Sequence, residues 1–221
     1  MGIVQRQHIA ETERSGAIKW AEKVDDEIVY SYNGIYWMRS QRVPLMPRAP
    51  LGEFGSEQVY TSSMVELADG SLQFYSHGDI GEHYGVGPIE GTQYKTNLFA
   101  SDLRQCGFVC LEPAGGYGYF TTRMLIPRNS DLRVNFKAPN GVVRVQVCDR
   151  QHQPLPGFAF DDCVELRGDD VAAKVAWKEG KTLAQFVGEQ IRLEFQLFQA
   201  QVYALDWDFQ IRYGDPIIER I

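Results

Sequence analysis

Hydrophobic and polar residues alternate along most of the second half of this chain. In residues 141–149, Val143, Val145 and Val147 fall on one face of an extended strand. The opposite face carries the polar or small side chains of Arg144, Gln146 and Cys148. The same alternation recurs in residues 191–197 and 200–209, with loops between. Strands and turns at this spacing predict an all-β fold with a jelly-roll-like β-sandwich over residues 105–213.

Shorter apolar runs in the first half predict a second β-rich domain over residues 1–104. Strands are predicted at 27–30, 58–67, 71–76 and 93–102, and Asp69-Gly70 is a tight turn between the middle two. Asn33-Gly34 predicts a two-residue hairpin turn, since both residues tolerate positive φ. We expect an antiparallel meander here. The pattern of residues 3–23 fits either a strand or a short helix.

Turn and loop residues divide the second domain into further predicted elements. Residues 107–111, 118–126 and 132–136 are each predicted to be a strand. A short helix is predicted at 182–186, with Thr182 as its N-cap and Gly188 as its stop. The charged residues 214–221 form a predicted tail.

Composition and charge restrict the classes of partner. The 221 residues are 44% hydrophobic and 23% charged, as in ordinary globular proteins. A formal net charge of −7 argues against nucleic acid and anionic membranes as partners. No apolar run approaches the roughly 20 residues of a membrane span. The basic N-terminal segment has no apolar core after it, so no signal peptide is predicted and a cytoplasmic location is favoured.

The chain has four cysteines, and their spacing predicts no zinc site. Cys106 and Cys110, in a predicted strand, lie too far apart for a disulfide and lack zinc-site spacing. We expect buried, reduced thiols there. Cys148 and Cys163 could pair if their strands are neighbours.

A Gly-rich polar loop predicted at residues 77–85 concentrates the candidate binding residues. His77, Asp79, Glu82 and His83 include metal-ligand types, but a surface loop collects such residues without binding a metal, and no metal is predicted. Sugar hydroxyls and ring faces suit polar groups beside tyrosines. The predicted carbohydrate-binding residues are His77, Asp79, His83, Tyr84 and Tyr60. An ordinary polar loop is the alternative.

Glu57 and Asp79 are candidates for a catalytic acid and base. Glycoside hydrolysis uses two carboxyl groups that flank the scissile bond. The sequence contains neither their separation nor their burial, so this pairing is a hypothesis about residue type alone.

Several short motifs occur in an order that resembles one group of proteins. Residues 31–37 (SYNGIYW) resemble the recurring blade hairpin of invertase-, levanase- and arabinanase-type glycosidases, with Asn33 in place of the usual Asp. Residues 107–111 (GFVCL), 157–163 (GFAFDDC) and 175–177 (VAW) resemble strands of the β-sandwich that follows their five-bladed propeller. The resemblance implies that residues 24–209 correspond to the last propeller blade and this sandwich. The meander predicted over residues 1–104 would then be an incomplete, propeller-like one.

This resemblance implies a protein without its own catalytic centre. About 100 residues precede the predicted sandwich, enough for one or two of the roughly five blades of such a propeller. The catalytic carboxylates of those propellers come mostly from earlier blades, so none is assigned here. We expect a non-catalytic, carbohydrate-associated module with a structural, assembly or glycan-binding role and no cofactor.

The alternative is a glycoside hydrolase completed by a partner chain. Open strand edges of an incomplete blade would favour a homo-oligomer or another partner chain. In that arrangement a second chain would supply the missing part of the site.

Overall fold

The computed structural model describes residues 2–14, 17–81 and 95–211. Apart from three short 3₁₀ turns, every regular element there is a β-strand, so the predicted all-β class is confirmed. The chain divides into two compact units, Met1–Leu103 and Arg104–Ile221. Within these described ranges, no helix has the length and apolar character to cross a lipid bilayer.

The first unit contains one mixed sheet. Its strands are β1 (Gly2–Arg14), β2 (Ala17–Tyr30), β3 (Met38–Pro44), β4 (Gln58–Glu66), β5 (Leu72–Asp79) and β6 (Thr96–Leu103). Their order is β1-β2-β4-β5-β6, and β3 also pairs with β2. Strands β4, β5 and β6 form an antiparallel meander, whereas β2 and β4 run parallel and pair at Val24 and Gln58.

The N-terminal segment, which the sequence left open, is a long hairpin. Strands β1 and β2 pair from Gly2 opposite Val29 to Arg14 opposite Ala17. The last part of β2 therefore lies between β1 on one side and β3 and β4 on the other. This position buries the unusual acidic run of Asp25, Asp26 and Glu27.

The connection between β2 and β3 is wider than the two-residue turn predicted from Asn33-Gly34. Residues 31–37 lie between the paired ends Tyr30 and Met38. The Asn33 side chain explains the difference, because its Oδ1 accepts bonds from the N–H groups of Ile35 and Tyr36 and extends the turn. Gly34 has the positive φ that was expected.

Two glycines hold the connection before β4 against β5. A Cβ atom placed on Gly78 would lie 2.7 Å from the Cα atom of Gly55. Gly55 itself has a φ of +85°, in the left-handed region. The two backbones thus touch directly, and Gly78 has no room for a side chain.

The second unit is built on a bent sheet. Its strands are β7 (Tyr117–Thr121), β8 (Leu125–Pro127), β9 (Arg133–Cys148), β10 (Leu166–Lys174), β11 (Arg192–Phe198), β12 (Gln201–Asp206) and β13 (Phe209–Ile211). The main sheet has the order β10-β9-β11-β7, with β12 also on β9. Strands β8 and β13 form a separate pair.

Strand β9 joins two segments that were predicted as separate strands. Its core-facing residues are even-numbered before Pro139 and odd-numbered after Gly141. They are Val134, Phe136, Ala138, Val143, Val145 and Val147. The change of parity marks a bend at residues 139–141. At the bend the backbone of Gly141 contacts the carbonyl oxygens of Phe198 and Gln199 so closely that a Cβ would clash.

Aromatic rings fill the space enclosed by the bent sheet. Phe120 stacks on Phe195 with ring centroids 4.4 Å apart, and Phe158 packs on Trp177 at 5.1 Å. The apolar face of β9 that the alternation predicted is confirmed, because Val143, Val145 and Val147 are each fully buried.

The cysteine predictions are partly wrong. Residues 105–108 form a turn rather than a strand, so Cys106 is exposed, with a φ of +52°, and Cys110 is half-buried. Within residues 107–111, pairing is limited to a single bridge from Leu111 to Val202. Cys148 and Cys163 are buried but free, so they do not form the disulfide that was considered.

The predicted short helix exists as a 3₁₀ turn, Leu183–Phe186. Thr182 is its N-cap, and its hydroxyl accepts a bond from the N–H of Ala184. Gly188 follows with a φ of +86°. The predicted tail at 214–221 lies outside the described residues.

Candidate functional site

Part of the predicted binding loop is a strand. His77 and Asp79 lie on β5, where they pair with Tyr60 and Gln58 of β4. The prediction of a loop at these positions is wrong, because their backbone bonds continue the antiparallel ladder to β6. His83 and Tyr84, together with Glu82, lie outside the described residues.

Strand pairing brings Tyr60 and His77 into contact. Their rings stack with centroids 4.8 Å apart and planes 21° from parallel. The Tyr60 hydroxyl donates to Gln58 Oε1 at 2.6 Å, and Gln58 Nε2 donates to the carbonyl oxygen of Gly81 at 2.6 Å. The sugar-binding role of Tyr60, His77 and Asp79 remains a prediction.

The candidate acid and base are both buried. Asp79 Oδ1 accepts a hydrogen bond from the hydroxyl of Thr96 on β6. Lys23 Nζ lies 3.2 Å from Oε1 and 3.1 Å from Oε2 of Glu57. Carboxyl groups held in this way link strands to one another, and both need to move before they can reach a substrate.

A buried aspartate beside this region escaped the sequence analysis. Asp26 Oδ2 accepts a hydrogen bond from the backbone N–H of Thr61, at the point where β2 diverges from β4. Burial raises the pKa of Asp26 above its usual range, and the bond from Thr61 acts in the opposite direction. The only sequence signal was an acidic run placed next to a short apolar strand.

The same acidic run is contacted by basic side chains from two neighbouring strands, β1 and β3. Glu27 pairs with Arg6 at 2.7 Å and with Arg39 at 3.3 Å. His8 Nε2 lies 2.9 Å from Asp25 Oδ2. Ion pairs with a fully buried acid tie β1, β2 and β3 together, and removal of one partner leaves a costly unpaired charge.

The described stretches of the chain contain no candidate metal site. Across residues 2–14, 17–81 and 95–211, no three His, Cys, Asp or Glu side chains converge in a way that could hold an ion.

A second surface, on the second unit, combines exposed aromatic rings with fixed polar groups. We call it the tyrosine face and define it by the outward side chains of β7, β11 and β9. Its members are Tyr117, Tyr119, Gln196, Glu194, Arg144 and Gln146. The exposed fraction is 53% for Tyr117 and 64% for Tyr119.

Hydrogen bonds cross the three strands of the tyrosine face in sequence. Gln196 Nε2 donates to the Tyr119 hydroxyl at 3.0 Å, and Arg144 Nη1 donates to Gln196 Oε1 at 3.0 Å. Arg144 Nε donates to Glu165 Oε1 at 2.9 Å. Both arginines that contact Glu165, Arg144 and Arg167, lower the pKa of its carboxyl.

Glu194 anchors the other end of this face. Its Oε2 accepts a bond from Gln146 Nε2 at 2.8 Å, and its Oε1 lies 2.6 Å from His152 Nδ1. Arg192 Nη1 contacts His152 Nε2, and an arginine can only donate. His152 therefore accepts at Nε2 and donates from Nδ1 to Glu194.

The aromatic rings of the tyrosine face rest on neighbouring rings. Tyr117 packs against Phe198, with centroids 5.0 Å apart, and Tyr119 lies 6.2 Å from Phe160. The sequence analysis missed these tyrosines. The signal was available in residues 117–121, where Tyr117 and Tyr119 occupy the face opposite Phe120, which packs against the core.

Comparisons with known proteins add no relatives to this description. No family model matches the chain, and searches of curated proteins and of solved structures found no significant match. The resemblance to glycosidase sandwiches thus remains a prediction from short motifs.

Proposed function

We propose that this protein is a non-catalytic, carbohydrate-associated module that binds glycans on the tyrosine face. The exposure of Tyr117 and Tyr119 is the observation that carries the proposal. A tyrosine presents a large apolar ring and a polar tip, which suits the apolar faces and hydroxyls of a sugar. Two such rings on one strand, at positions two residues apart, point to the same side of the sheet.

The polar groups beside the rings are held ready for a ligand. Gln196 bonds to both Tyr119 and Arg144, and Glu165 holds the guanidinium of Arg144. Side chains that are already ordered lose less conformational entropy on binding than free ones do. A glycan would therefore meet fixed donors and acceptors beside two apolar rings.

The carboxyls on and beside the tyrosine face support binding rather than hydrolysis. A glycosidase needs one protonated carboxylic acid whose pKa is raised. Hydrogen bonds from Arg144 and Arg167 instead lower the pKa of Glu165. Glu194 is held by His152 and Gln146. In the first unit, Glu57 and Asp79 are buried.

Association with a partner chain through strand edges is part of the same proposal. Among the described strands, β6 lies at one end of the sheet of the first unit, and β7 lies at one end of the main sheet of the second unit. A terminal strand offers backbone groups that a further strand can pair with. A structural or assembly role would use these edges.

A glycan array screened with the full chain tests the binding function. We expect hits whose signal falls at least tenfold for Tyr119→Ala and is retained for Tyr60→Ala. Tyr75→Ala is a matched control, since Tyr75 is an exposed tyrosine of the first unit. An array without hits would overturn the proposal. Loss of binding for Tyr60→Ala alone would move the site to the first unit.

A further inference from the structure

One loop of the first unit exposes an unusual amount of apolar surface. We call residues 30–38 the aromatic loop. The exposed fraction is 90% for Tyr32, 75% for Ile35, 74% for Tyr36 and 49% for Trp37. Monomeric proteins rarely leave contiguous apolar patches larger than about 300–600 Å². Such a patch indicates an interaction surface.

The aromatic loop is held in one conformation by its own polar groups. Asn33 Oδ1 accepts bonds from the N–H groups of Ile35 at 2.9 Å and Tyr36 at 3.0 Å. Ser31 Oγ accepts a bond from Gly34 N–H at 2.8 Å. Trp37 Nε1 donates to the carbonyl oxygen of Gly34 at 3.2 Å. An ordered loop loses little entropy when its side chains are buried in an interface.

A cavity of about 430 Å³ lies directly beside the aromatic loop. Its lining residues are Gly2, Ile3, Val4, Val29, Trp37 and Arg39. Trp37 is therefore part of the loop and also part of the cavity wall. Ile35, which is exposed, stands two residues before Trp37 on the same loop. A two-fold interface between identical chains requires mutually complementary features on one surface, and an exposed apolar side chain near an apolar cavity provides them.

We propose that the aromatic loop and this cavity bind the same surface of a second copy of the chain. Ile35 of each copy enters the cavity of the other, and the tyrosine and tryptophan rings surround it. Each buried aromatic side chain covers about 150–250 Å². Together with Ile35 and Met38, the rings offer an area of the order of the ~800 Å² per partner found in standard interfaces.

Charge favours a second copy as the occupant. The chain carries a net charge of −7, which opposes self-association in general. The aromatic loop, however, has no charged residue between Tyr30 and Met38. Arg39, in the cavity wall, is paired with Glu27 at 3.3 Å. Two copies can therefore meet there without bringing unpaired like charges together, and the aromatic composition is typical of residues that dominate binding energy.

Analytical ultracentrifugation of the full chain over a range of concentrations tests the proposal. We expect a reversible dimer, with a dissociation constant raised at least tenfold by Ile35→Asp. Leu51→Asp is the matched control, because Leu51 is also well exposed but lies in the connection between β3 and β4, outside the aromatic loop and the terminal strands. Leu98→Asp, on the terminal strand β6, tests pairing through strand edges. A monomer at high micromolar concentration, or a dimer that Ile35→Asp leaves unchanged, would overturn the proposal. Dissociation by Leu98→Asp alone would show pairing through strand edges instead.

A second measurement uses the unaltered protein and so is independent of any folding defect in the variants. Hydroxyl-radical footprinting should show that Tyr32 and Tyr36 are protected at concentrations where the dimer forms and oxidised after dilution. Equal oxidation at both concentrations would contradict an interface at the aromatic loop. Neither result depends on whether the tyrosine face binds glycans.

Discussion

Trp177 donates its indole N–H to the carbonyl oxygen of Val145, with 3.0 Å between the two atoms. The neighbouring thiol of Cys163 lies 3.2 Å from the N–H of the same valine. The side chains of Trp177 and Cys163 thus provide hydrogen-bond partners for the backbone of Val145, on the side of β9 that faces away from β11. This edge would otherwise leave polar groups unpaired in the core, which costs about 1–3 kcal/mol for each group.

Trp177→Phe tests that relationship. The substitution leaves the Val145 carbonyl buried without its donor, so we expect the free energy of unfolding to fall by about 1–3 kcal/mol or more. Trp207→Phe is the matched control, because Trp207 makes the same kind of bond to Asn129 at the surface. Urea unfolding measures both variants, and equal losses would contradict the account of the β9 edge.

Gly78→Ala tests the contact between the β5 backbone and Gly55. The added methyl group would lie 2.7 Å from Gly55 Cα, a backbone atom that cannot rotate away. We expect a loss of more than about 2 kcal/mol in the free energy of unfolding. Gly115→Ala should have little effect, since nothing lies within 4 Å of a Cβ there. Similar stability of the two variants would show that the contact is loose.

Thiol reactivity separates the four cysteines. Burial raises the pKa of Cys148 to about 12 and that of Cys163 to about 11, and thiolate is the reactive form. We expect Cys106, which is exposed, to react first with a disulfide reagent at pH 8. Cys148 and Cys163 should react only after unfolding in urea.

Cys106→Ser is the control for the thiol experiment, and it should remove the fast phase. Mass spectrometry of the labelled peptides assigns each thiol. Rapid labelling of Cys148 or Cys163 in the native protein would contradict the burial described here.

Asp26 is expected to give a pH dependence of a particular sign. Its folded-state pKa is raised above its ordinary value, so the folded state binds the proton more tightly than the unfolded state does. The contribution of Asp26 to stability therefore falls as the pH rises from the unfolded pKa through the folded pKa. Asp26→Asn can keep the bond from Thr61 and removes this titration.

The stability of Asp26→Asn relative to the unaltered protein should rise with pH in the window just above the usual aspartate pKa, and then level off. Urea unfolding at a series of pH values measures the difference, in which the other carboxyls largely cancel. A difference that stays constant, or that falls with pH, would contradict a raised pKa.

The alternation of hydrophobic and polar residues predicted the strands of the second unit well where one face of a strand is buried. Val143, Val145 and Val147 occupy the core as expected, because period-two patterning reports burial directly. The continuity of β9 was not predictable, since Pro139 and Gly141 are ordinary loop signals. Their bend is stabilised by contacts with Phe198 and Gln199, far away in sequence.

The candidate site was less predictable, because its residues come from different strands. His77 and Asp79 occur among glycines, which indicates a loop, but pairing with β4 and β6 extends β5 through them. Burial of Glu57 depends on Lys23 and on the strands around it. The network from Tyr119 to Arg144 depends on the register of three strands, which the sequence does not specify.

Equilibrium titration of a glycan found on the array, by isothermal calorimetry, tests the central claim most directly. It compares the unaltered protein with Tyr119→Phe and Tyr119→Ala. We expect Tyr119→Phe to keep most of the affinity because the ring remains, and Tyr119→Ala to lose at least tenfold. Unchanged affinity for Tyr119→Ala would contradict a glycan site on the tyrosine face.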